Sequence, residues 1–432
     1  MDDADDASGR KRKCGIQIDN VFLYEGGEIA RKLRSEIARV RIGPHVKDIP
    51  SGAFEGCINL AEVQFGEGSL EVIGYSAFRG CKTLQEVVIP PSVTKLGDSA
   101  FRGCSNLAKV QFREGLEIIE DRAFDDCKAL QRVILPSSVT KVGAGAFWGC
   151  CSLAAVKLNE GLEMIGSCTF NGCRALQRVT IPLSVSKLGN YAFLFCTNLA
   201  SVQFSEGLEI IGEGAFNRCT ALRSVTVPSS VAELGVEAFN GCTNLTEVIL
   251  LGGKRLLNQG FFDRGLLGGE RVLNKNELNA MIGNGSALRD DCQLATSAFV
   301  RCPLTTLKIS FPRALSERME RLPRECRLSI EQRLHDLRRV ELTQDGNILA
   351  CFPLIRLPSN WNSVEDANDE TAESIHQVLR LIAFHELKES SILIELAMWK
   401  SSLVEDRARS PRFGSRPCKE FNHGLLRLHG HP

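Results

Sequence analysis

A period of 23 residues runs through the middle of the chain and restricts the folds it can adopt. Phenylalanines recur at one position of each period, separated by 24 residues once and by 23 thereafter. They are Phe54, Phe78, Phe101, Phe124, Phe147, Phe170, Phe193, Phe216 and Phe239. Nine repeats in register are too regular to be coincidence, so the sequence predicts a solenoid in which each repeat forms one coil.

Two further columns keep the same period. A cysteine follows each phenylalanine by three residues, at Cys57, Cys81, Cys104, Cys127, Cys150, Cys173, Cys196, Cys219 and Cys242. A leucine follows each cysteine by three, at Leu60, Leu84, Leu107, Leu130, Leu153, Leu176, Leu199, Leu222 and Leu245. Because one coil cannot bury its own apolar side, these columns are expected to stack into a continuous core.

The apolar spacing inside each unit predicts a short strand. In L-x2-V-x-I the last two apolar residues are two apart, so they share one face of an extended segment. Val110 and Phe112 are expected to point inward, and Lys109 and Gln111 to point to solvent. Successive coils then form a parallel ladder with a spacing of about 4.8 Å. The predicted fold is a repeat solenoid of short parallel strands with tight turns and short helical segments.

A second rhythm alternates two kinds of unit. One kind carries a proline and the other carries E-G-L, each returning every 46 residues, at Pro90, Pro136, Pro182 and Pro228 and at Gly115, Gly161 and Gly207. Proline fixes φ where the strand ends, whereas glycine permits a positive φ in the turn. This 46-residue period indicates that the array arose by duplication of a unit of two coils. Glu120 interrupts a glycine column and Thr169 replaces the usual alanine, so local distortion is expected there.

The stretch PSSVTKVGAGAFWGC at 136–150 resembles the BspA-type leucine-rich repeat, which occurs in bacterial surface proteins and many protist proteins. This resemblance covers about residues 40–250. Over about 250–404, the run CFPLIRLP…ETAESIHQVLRLIAFHELKESSILIELAMWKSSL resembles intracellular repeat proteins abundant in diatoms and related algae. The resemblance implies a role in binding or adhesion, and it supplies no catalytic residue and no cofactor.

The chain divides into six segments. They are a disordered N-terminal tail at 1–20, an N-terminal cap and first coil at 21–52, the repeat array at 53–250, degenerate repeats and a cap with an insertion at 251–312, a C-terminal α-helical region at 313–404, and a basic disordered tail at 405–432. Open solenoid ends need such caps.

Repeat spacing returns beyond the regular array. Phe262 lies 23 residues after Phe239 and predicts a degenerate coil, 273–282 reads as an inserted short helix, and Phe299 with Cys302 restores the F-x2-C spacing before a last strand at 304–310.

The segment beyond residue 312 has helical periodicity, including an amphipathic turn at 329–340. A helical hairpin follows the acidic residues 366–373, and it either packs on the last coils or on itself, or it forms a self-association surface through Leu393, Leu396 and Trp399.

Charge and composition exclude several function classes. The 52 basic and 52 acidic residues balance, so no global charge indicates nucleic acid or membrane binding. MDDADDASGRKRK lacks the apolar core of a signal peptide, and no apolar run approaches the roughly 18 residues of a membrane span. A cytoplasmic location with reduced thiols is expected, and the basic run at 10–13 leaves a nuclear location open.

No catalytic or metal site is predicted. The nine ladder cysteines are equivalent, whereas a nucleophile needs one distinctive thiol beside a histidine. Stacked strands also hold Cβ atoms farther apart than the roughly 3.8 Å of a disulfide, so buried free thiols are expected. The stretch GAGAFWG at 143–149 is the repeat's own bend, and His385 and Glu386 lack the H-E-x-x-H spacing.

The outward strand positions form the candidate binding face. Acidic ends flank a modestly basic middle, and the candidate residues are Lys109, Arg132, Lys157, Arg178, Gln111 and Gln203. They predict a weak patch for an acidic protein segment, and a plain solvated face is the competing interpretation. Almost no aromatic residue interleaves the patch, which disfavours single-stranded nucleic acid.

Two classes of function therefore remain: an intracellular scaffold that binds a protein partner on its concave strand face, and a cell-surface adhesion or recognition protein. The partner and the oligomeric state stay open, and no small-molecule substrate is indicated.

Overall fold

The computed structural model describes residues 15–18, 20–66, 68–251, 298–299, 301–310, 321–334, 340–342 and 348–353, together with Gln377, Leu381, Phe384 and His385. The predictions for the two tails, for the insertion at 273–282 and for Leu393, Leu396 and Trp399 lie outside these residues.

Each coil of the array contributes one long strand to the first side of the solenoid. The Val or Ile of each motif points inward, and residues on either side point outward, as the period-2 spacing predicts. These strands are β3 (Arg39–Ile42), β5 (Glu62–Phe65), β7 (Glu86–Ile89), β9 (Lys109–Phe112), β11 (Arg132–Ile134), β13 (Ala155–Lys157), β15 (Arg178–Thr180), β17 (Ser201–Gln203), β19 (Ser224–Val227), β21 (Glu247–Leu250) and β22 (Thr306–Ser310). Neighbouring strands are parallel.

A second sheet of two-residue strands forms on the other side of each coil. It is continuous over nine strands, all parallel. They are β4 (Asp48–Ile49), β6 (Val72–Ile73), β8 (Lys95–Leu96), β10 (Ile118–Ile119), β12 (Lys141–Val142), β14 (Met164–Ile165), β16 (Lys187–Leu188), β18 (Ile210–Ile211) and β20 (Glu233–Leu234). The fold is therefore a parallel-strand solenoid of about nine turns.

The phenylalanine column forms one continuous stack through the core. Consecutive rings from Phe54 to Phe239 have centroids 5.0 to 5.5 Å apart and are almost parallel. The expected distortion is small, because the stack passes through the coil of Glu120 and the largest tilt is only 15°, between Phe170 and Phe193. Thr169 stays buried by donating its hydroxyl to the carbonyl oxygens of Gly143 and Gly166, at 3.0 and 2.7 Å.

Turns replace the short helical segments that we expected inside the described coils. Each turn between a short strand and the ladder cysteine contains two residues in the left-handed region, such as Cys168 at φ 57° and Gly172 at φ 75°. A right-handed helix cannot continue through such residues. Up to residue 251, the described residues contain one short helix, a 3₁₀ turn in the N-terminal cap at Arg31–Leu33.

The E-G-L motif joins each coil to the proline-type coil that follows it. Glu114 accepts hydrogen bonds from the hydroxyl and backbone of Ser137, at 2.9 and 3.2 Å, and from the backbone of Ser138. Its neighbour Gly115 is required by space, because a Cβ there would lie 2.1 Å from the carbonyl oxygen of Pro91. The carboxylate of an E-G-L coil thus accepts hydrogen bonds from the serines of the proline-type coil that follows it.

The N-terminal cap covers the first coil with an antiparallel hairpin. It consists of β1 (Gly15–Ile18) and β2 (Val21–Tyr24), and β2 continues the parallel ladder by pairing with β3. Tyr24 packs edge-on against Phe54 with ring centroids 5.0 Å apart. Because this ring is fully buried, it closes one end of the stack as the caps of repeat proteins must.

The C-terminal end continues the phenylalanine column, since Phe299 stacks directly on Phe239 at 5.2 Å. The degenerate coil predicted at Phe262 lies outside the described residues. The strand predicted at 304–310 is confirmed as β22, parallel to β21. The cap that follows is partly β-structure: β24 (Ile348–Pro353) pairs antiparallel with β22, and β23 (Val340–Leu342) pairs with β24.

One helix of the predicted helical region is described. α1 spans Arg324–Leu334 and begins directly after Pro323, five residues before the start of the amphipathic turn expected at 329–340. Ile330 is its buried contact with the core. Gln377, Leu381, Phe384 and His385 are also helical.

Candidate interaction surface

The cysteine ladder is structural, as the sequence predicts. All nine ladder cysteines are fully buried free thiols, and Cys302 continues the column. From Cys81 onward, each thiol donates a hydrogen bond to the carbonyl oxygen of the phenylalanine in the preceding coil, at 3.0 to 3.3 Å. Each of these carbonyl oxygens also accepts the backbone N–H of the cysteine in its own coil, as Phe54 does from Cys57 at 3.1 Å, so the thiol adds a second donor that links neighbouring coils, a role that the spacing alone did not indicate.

Burial also makes these thiols poor nucleophiles. It raises the pKa of the Cys57 thiol to about 12, and it raises the pKa of Cys127, Cys150 and Cys173 well above the ordinary value. Only the thiolate attacks electrophiles or binds metals. Among the residues that the structure describes, no group of three or more His, Cys, Asp or Glu is placed to hold a metal ion.

The outward side chains of the long strands, from β3 to β22, form what we call the long-strand face. This face holds the predicted binding residues in two columns. Arg132 lies beside Lys109 on one side and Ala155 on the other, while Lys157 lies beside Ile134. The 23-residue period puts Arg178 one coil beyond Ala155, but β15 pairs with β17, and β13 belongs to a separate ladder with β7, β9 and β11. The predicted registers are therefore present within each ladder, and the ladder is interrupted between Ala155 and Arg178.

One predicted basic residue is neutralised by its neighbour. Glu86 accepts an ion pair from the Lys109 ammonium at 2.6 Å and a hydrogen bond from the Gln111 amide at 3.1 Å. The Glu86 carboxylate thus binds both side chains at the surface. We conclude that Lys109 contributes little net charge to the face and that the Gln111 amide is already engaged.

The remaining basic side chains are exposed and have no carboxylate within salt-bridge distance in the described part of the chain. They are Arg132, Lys157 and Arg178. Ile134 projects between them with half of its surface exposed. Gln203 is also exposed, and its amide oxygen accepts a hydrogen bond from the Thr180 hydroxyl at 3.1 Å.

Ion pairs occupy both ends of the same face. Arg39 contacts Glu62 at 3.6 Å near the first coil, and Lys308 contacts Glu247 at 2.9 Å on the last strands. Arg41 on β3 donates to the neutral Gln64 amide at 3.1 Å, and three exposed cations without a carboxylate partner among the described residues lie together over β11, β13 and β15. A cluster of three cations and one exposed aliphatic residue can bind a carboxylate-bearing protein segment.

Comparison with known families identifies the repeat. The family model described as the BspA type leucine rich repeat region matches residues 33–154 and 144–264, which together exceed half of the chain. A search of curated proteins finds no match. Within the described residues, no helix is both long and apolar enough to cross a bilayer.

Several solved structures are similar over about half of this chain. The pneumococcal vaccine antigen PcpA is 24% identical with a TM-score of 0.37, and the match covers 49% of this chain and 62% of that one. A leucine rich cell surface protein from Faecalibacterium prausnitzii is 25% identical with a TM-score of 0.32, covering 49% and 72%. The T. pallidum leucine rich repeat protein is 25% identical with a TM-score of 0.31, covering 52% and 82%. This chain thus spans less than two thirds of PcpA.

Proposed function

Because this chain belongs to the BspA type leucine-rich repeat family, we propose that it is a non-catalytic scaffold whose long-strand face binds an acidic segment of a protein partner. Solenoids of this kind present extended surfaces for recognition. A cytoplasmic location, with the nucleus left open, and the likeness of the C-terminal run to algal intracellular repeat proteins belong to the same proposal.

The observation that carries the proposal is the group of unpaired cations on β11, β13 and β15. Arg132, Lys157 and Arg178 are exposed, while Arg39, Lys109 and Lys308 on the same face are engaged by Glu62, Glu86 and Glu247; toward the first end, Arg41 is bound only by the neutral Gln64 amide. A positive patch in the middle of the face attracts and orients a negatively charged partner.

The proposal is tested by capture from a native lysate with the immobilised full chain. The double variant Arg132→Glu/Arg178→Glu is compared with Lys47→Glu/Lys187→Glu, which makes the same charge change at exposed sites outside the long-strand face. We expect a partner that the wild type and the control retain and the first variant loses, roughly a hundredfold in affinity for two reversed contacts. Equal retention by both variants would contradict the proposal.

A further inference from the structure

The long strands of the array pair in twos. The strand of a proline-type coil is joined to the strand of the next coil over three or four residues, in the pairs β7–β9, β11–β13, β15–β17 and β19–β21. Between these pairs, β9 and β11 share one residue pair, and no residue pair joins β5 to β7, β13 to β15 or β17 to β19. The long-strand side therefore consists of two-coil blocks, and we call the junction between β13 and β15 the seam.

No backbone hydrogen bond crosses the seam on the long-strand side. The structure describes every residue of 154–158 and 177–181, and none of their backbone groups is bonded across the seam. A direct comparison is possible because Gln131 and Gln177 hold the same place in their coils. The Gln131 N–H donates to the Ala108 carbonyl of the preceding coil at 3.2 Å, whereas the Gln177 N–H has no backbone acceptor in its preceding coil.

The other two sides of the solenoid are bonded across the seam. In the continuous sheet of nine short strands, β14 pairs with β16, with Met164 opposite Lys187. In the turns, the Phe147 N–H donates to the Thr169 carbonyl at 2.9 Å. Opening is therefore confined to the long-strand side, and the bonded sides form the pivot of a hinge.

A glutamate bridges the long-strand side where an E-G-L coil meets the next proline-type coil, and this bridge is reduced at the seam. Across the junction of β17 and β19, Glu206 accepts hydrogen bonds from the backbone and hydroxyl of Ser229 and from the backbone of Ser230. Across the seam, Glu160 accepts one hydrogen bond, from the Leu183 N–H at 3.2 Å. Because leucine has no hydroxyl to donate, the bridge at the seam lacks the strongest of these contacts.

The core is also less closed at the seam. Val156 of β13 is only partly buried, whereas Val133 and Val179, in the same column of the neighbouring coils, are 0% and 3% exposed. A strand with little buried apolar surface opens at a smaller cost in free energy than a strand that is fully packed. Strand pairing, glutamate bridging and packing are thus all reduced at one junction.

The seam divides the cations of the long-strand face. Arg132 and Lys157 lie on the block of β11 and β13, and Arg178 lies on the block of β15 and β17. None of the three has a carboxylate within salt-bridge distance in the described part of the chain, so their mutual repulsion favours separation of the blocks. A carboxylate-bearing segment that contacts both blocks favours their closure, because it binds the closed arrangement more tightly.

We propose that the seam is a hinge: the two blocks open on the long-strand side in the free protein, pivot on the short-strand sheet, and close when an acidic protein segment bridges Lys157 and Arg178. The closing step rests on the function proposed above, whereas the hinge depends only on contacts within the chain. Binding of the partner thus changes the curvature of the array as well as occupying its face.

Electron paramagnetic resonance on the full chain measures the hinge. Nitroxide labels are attached through encoded non-natural amino acids at positions 131 and 177, so the native cysteines stay unmodified. The matched control pair is 85 and 131, since all three positions are exposed glutamines of one column and each pair spans two coils, about 10 Å at the parallel-strand spacing. We expect the pair across the seam to give a distance distribution roughly twice as broad as the control pair. Equal distributions would overturn the hinge, whether or not an acidic segment binds.

Two variants test the glutamate bridge. Leu183→Ser supplies the missing hydroxyl, so it should narrow the distribution of the pair across the seam to that of the control pair. Ser229→Leu is the converse change one 46-residue period later, and it should leave the same distribution unchanged. A Leu183→Ser protein whose distribution stays broad would contradict the assignment of the seam as the weak junction.

An oligoglutamate peptide tests the closing step, with oligolysine of equal length as its control. Binding is followed by fluorescence anisotropy, and bound oligoglutamate should narrow the distribution across the seam while oligolysine leaves it broad. A broad distribution with oligoglutamate bound would overturn the closing step. Failure of oligoglutamate to bind would remove the proposed function and the closing step with it, whereas the hinge is decided by the free protein alone.

Discussion

Replacing Phe147 with alanine tests the central packing argument. The Phe147 ring is fully buried and lies between Phe124 and Phe170, at 5.4 and 5.5 Å with interplanar angles of 2° and 3°. Truncation leaves the backbone bonds of this coil in place, including the one from the Phe147 N–H to the Thr169 carbonyl at 2.9 Å. The change therefore removes packing and little else.

The magnitude follows from these contacts. Deleting a fully buried phenylalanine side chain costs about 3 to 5 kcal/mol through lost burial and the cavity left behind. Loss of two ring-to-ring contacts, each worth about 0.5 to 1.5 kcal/mol, places Phe147→Ala in the upper half of that range. Because repeat arrays are held by nearest-neighbour contacts, the loss should be greatest in the two coils that flank the substitution.

Urea unfolding followed by circular dichroism measures the total effect, and hydrogen exchange locates it. We expect Phe147→Ala to lower the unfolding midpoint strongly and to accelerate exchange in the flanking coils. The control is Met164→Ala, since Met164 is 52% exposed on β14, and its loss should stay within about 0.5 kcal/mol. A loss below about 1 kcal/mol for Phe147→Ala would refute the reasoning that these rings form the core.

Three further results are expected. In native protein, a maleimide should label the exposed Cys151 within minutes and the buried ladder cysteines only on unfolding, because burial suppresses their thiolates; mass spectrometry of the labelled peptides decides this. The hydrogen bond from Lys95 holds the pKa of Glu120 below its usual range, so its stabilisation is present above the unfolded pKa and is lost as the pH falls through the lower folded pKa. Accordingly, Glu120→Gln should cost about 0.5 to 1 kcal/mol at pH 7 and almost nothing near pH 2.5, by urea titration at both values. Gly207→Ala should destabilise by about 2 to 3 kcal/mol and Gly161→Ala by less than about 1, because the added Cβ would meet a backbone oxygen at 1.8 Å and 3.0 Å respectively; equal melting temperatures would contradict the steric argument.

The repeat and its registers were predictable because a fixed period makes neighbours of residues 23 apart. The pairing of Arg132 with Ala155 and with Lys109 follows from counting alone. The same counting puts Glu86 beside Lys109, so the ion pair between them was also accessible from the sequence. The average charge of a column hides such a pair, because its opposite charges lie in adjacent coils.

Other features depend on three-dimensional distances that a period does not carry. The bond from Cys104 to the carbonyl of Phe78 requires the direction of the thiol as well as its column. Phe262 fits the spacing better than Phe299, yet Phe299 stacks on Phe239. Local pattern places Ile348–Pro353 in a helical region, whereas the structure makes it a strand. Its partner β22 is about forty residues away in the sequence, and tertiary pairing of this kind overrides local pattern.

The position of the exposed aromatic residues Trp148 and Phe195 was missed for a different reason. The repeat spacing points to the outward positions of the strands, where solenoids commonly bind partners. Trp148 and Phe195 instead occupy the turns, and a turn position gives no periodic signal of exposure. The useful signal is a deviation from the repeat, since Phe195 and Arg218 stand in a left-handed column that is glycine in most coils, including Gly149 and Gly172. Holding bulky residues in this conformation costs about 1 to 2 kcal/mol each, which is typical of positions kept for another purpose.

Contacts between coils explain why E-G-L coils and proline-type coils alternate with a period of 46 residues. Glu206 accepts hydrogen bonds from the Ser229 hydroxyl at 2.7 Å and from the Ser230 backbone N–H at 3.2 Å, repeating what Glu114 does two 46-residue periods earlier. An E-G-L coil therefore supplies acceptors for the donors of the proline-type coil that follows it, and two adjacent coils of the same kind would leave one set unpaired. Where leucine replaces serine, at Leu183, the glutamate of the preceding coil keeps a backbone contact at 3.2 Å and has no hydroxyl there to bind. Restoring the hydroxyl with Leu183→Ser should raise stability by about 1 kcal/mol in urea titration, and an unchanged midpoint would show that the alternation has another cause.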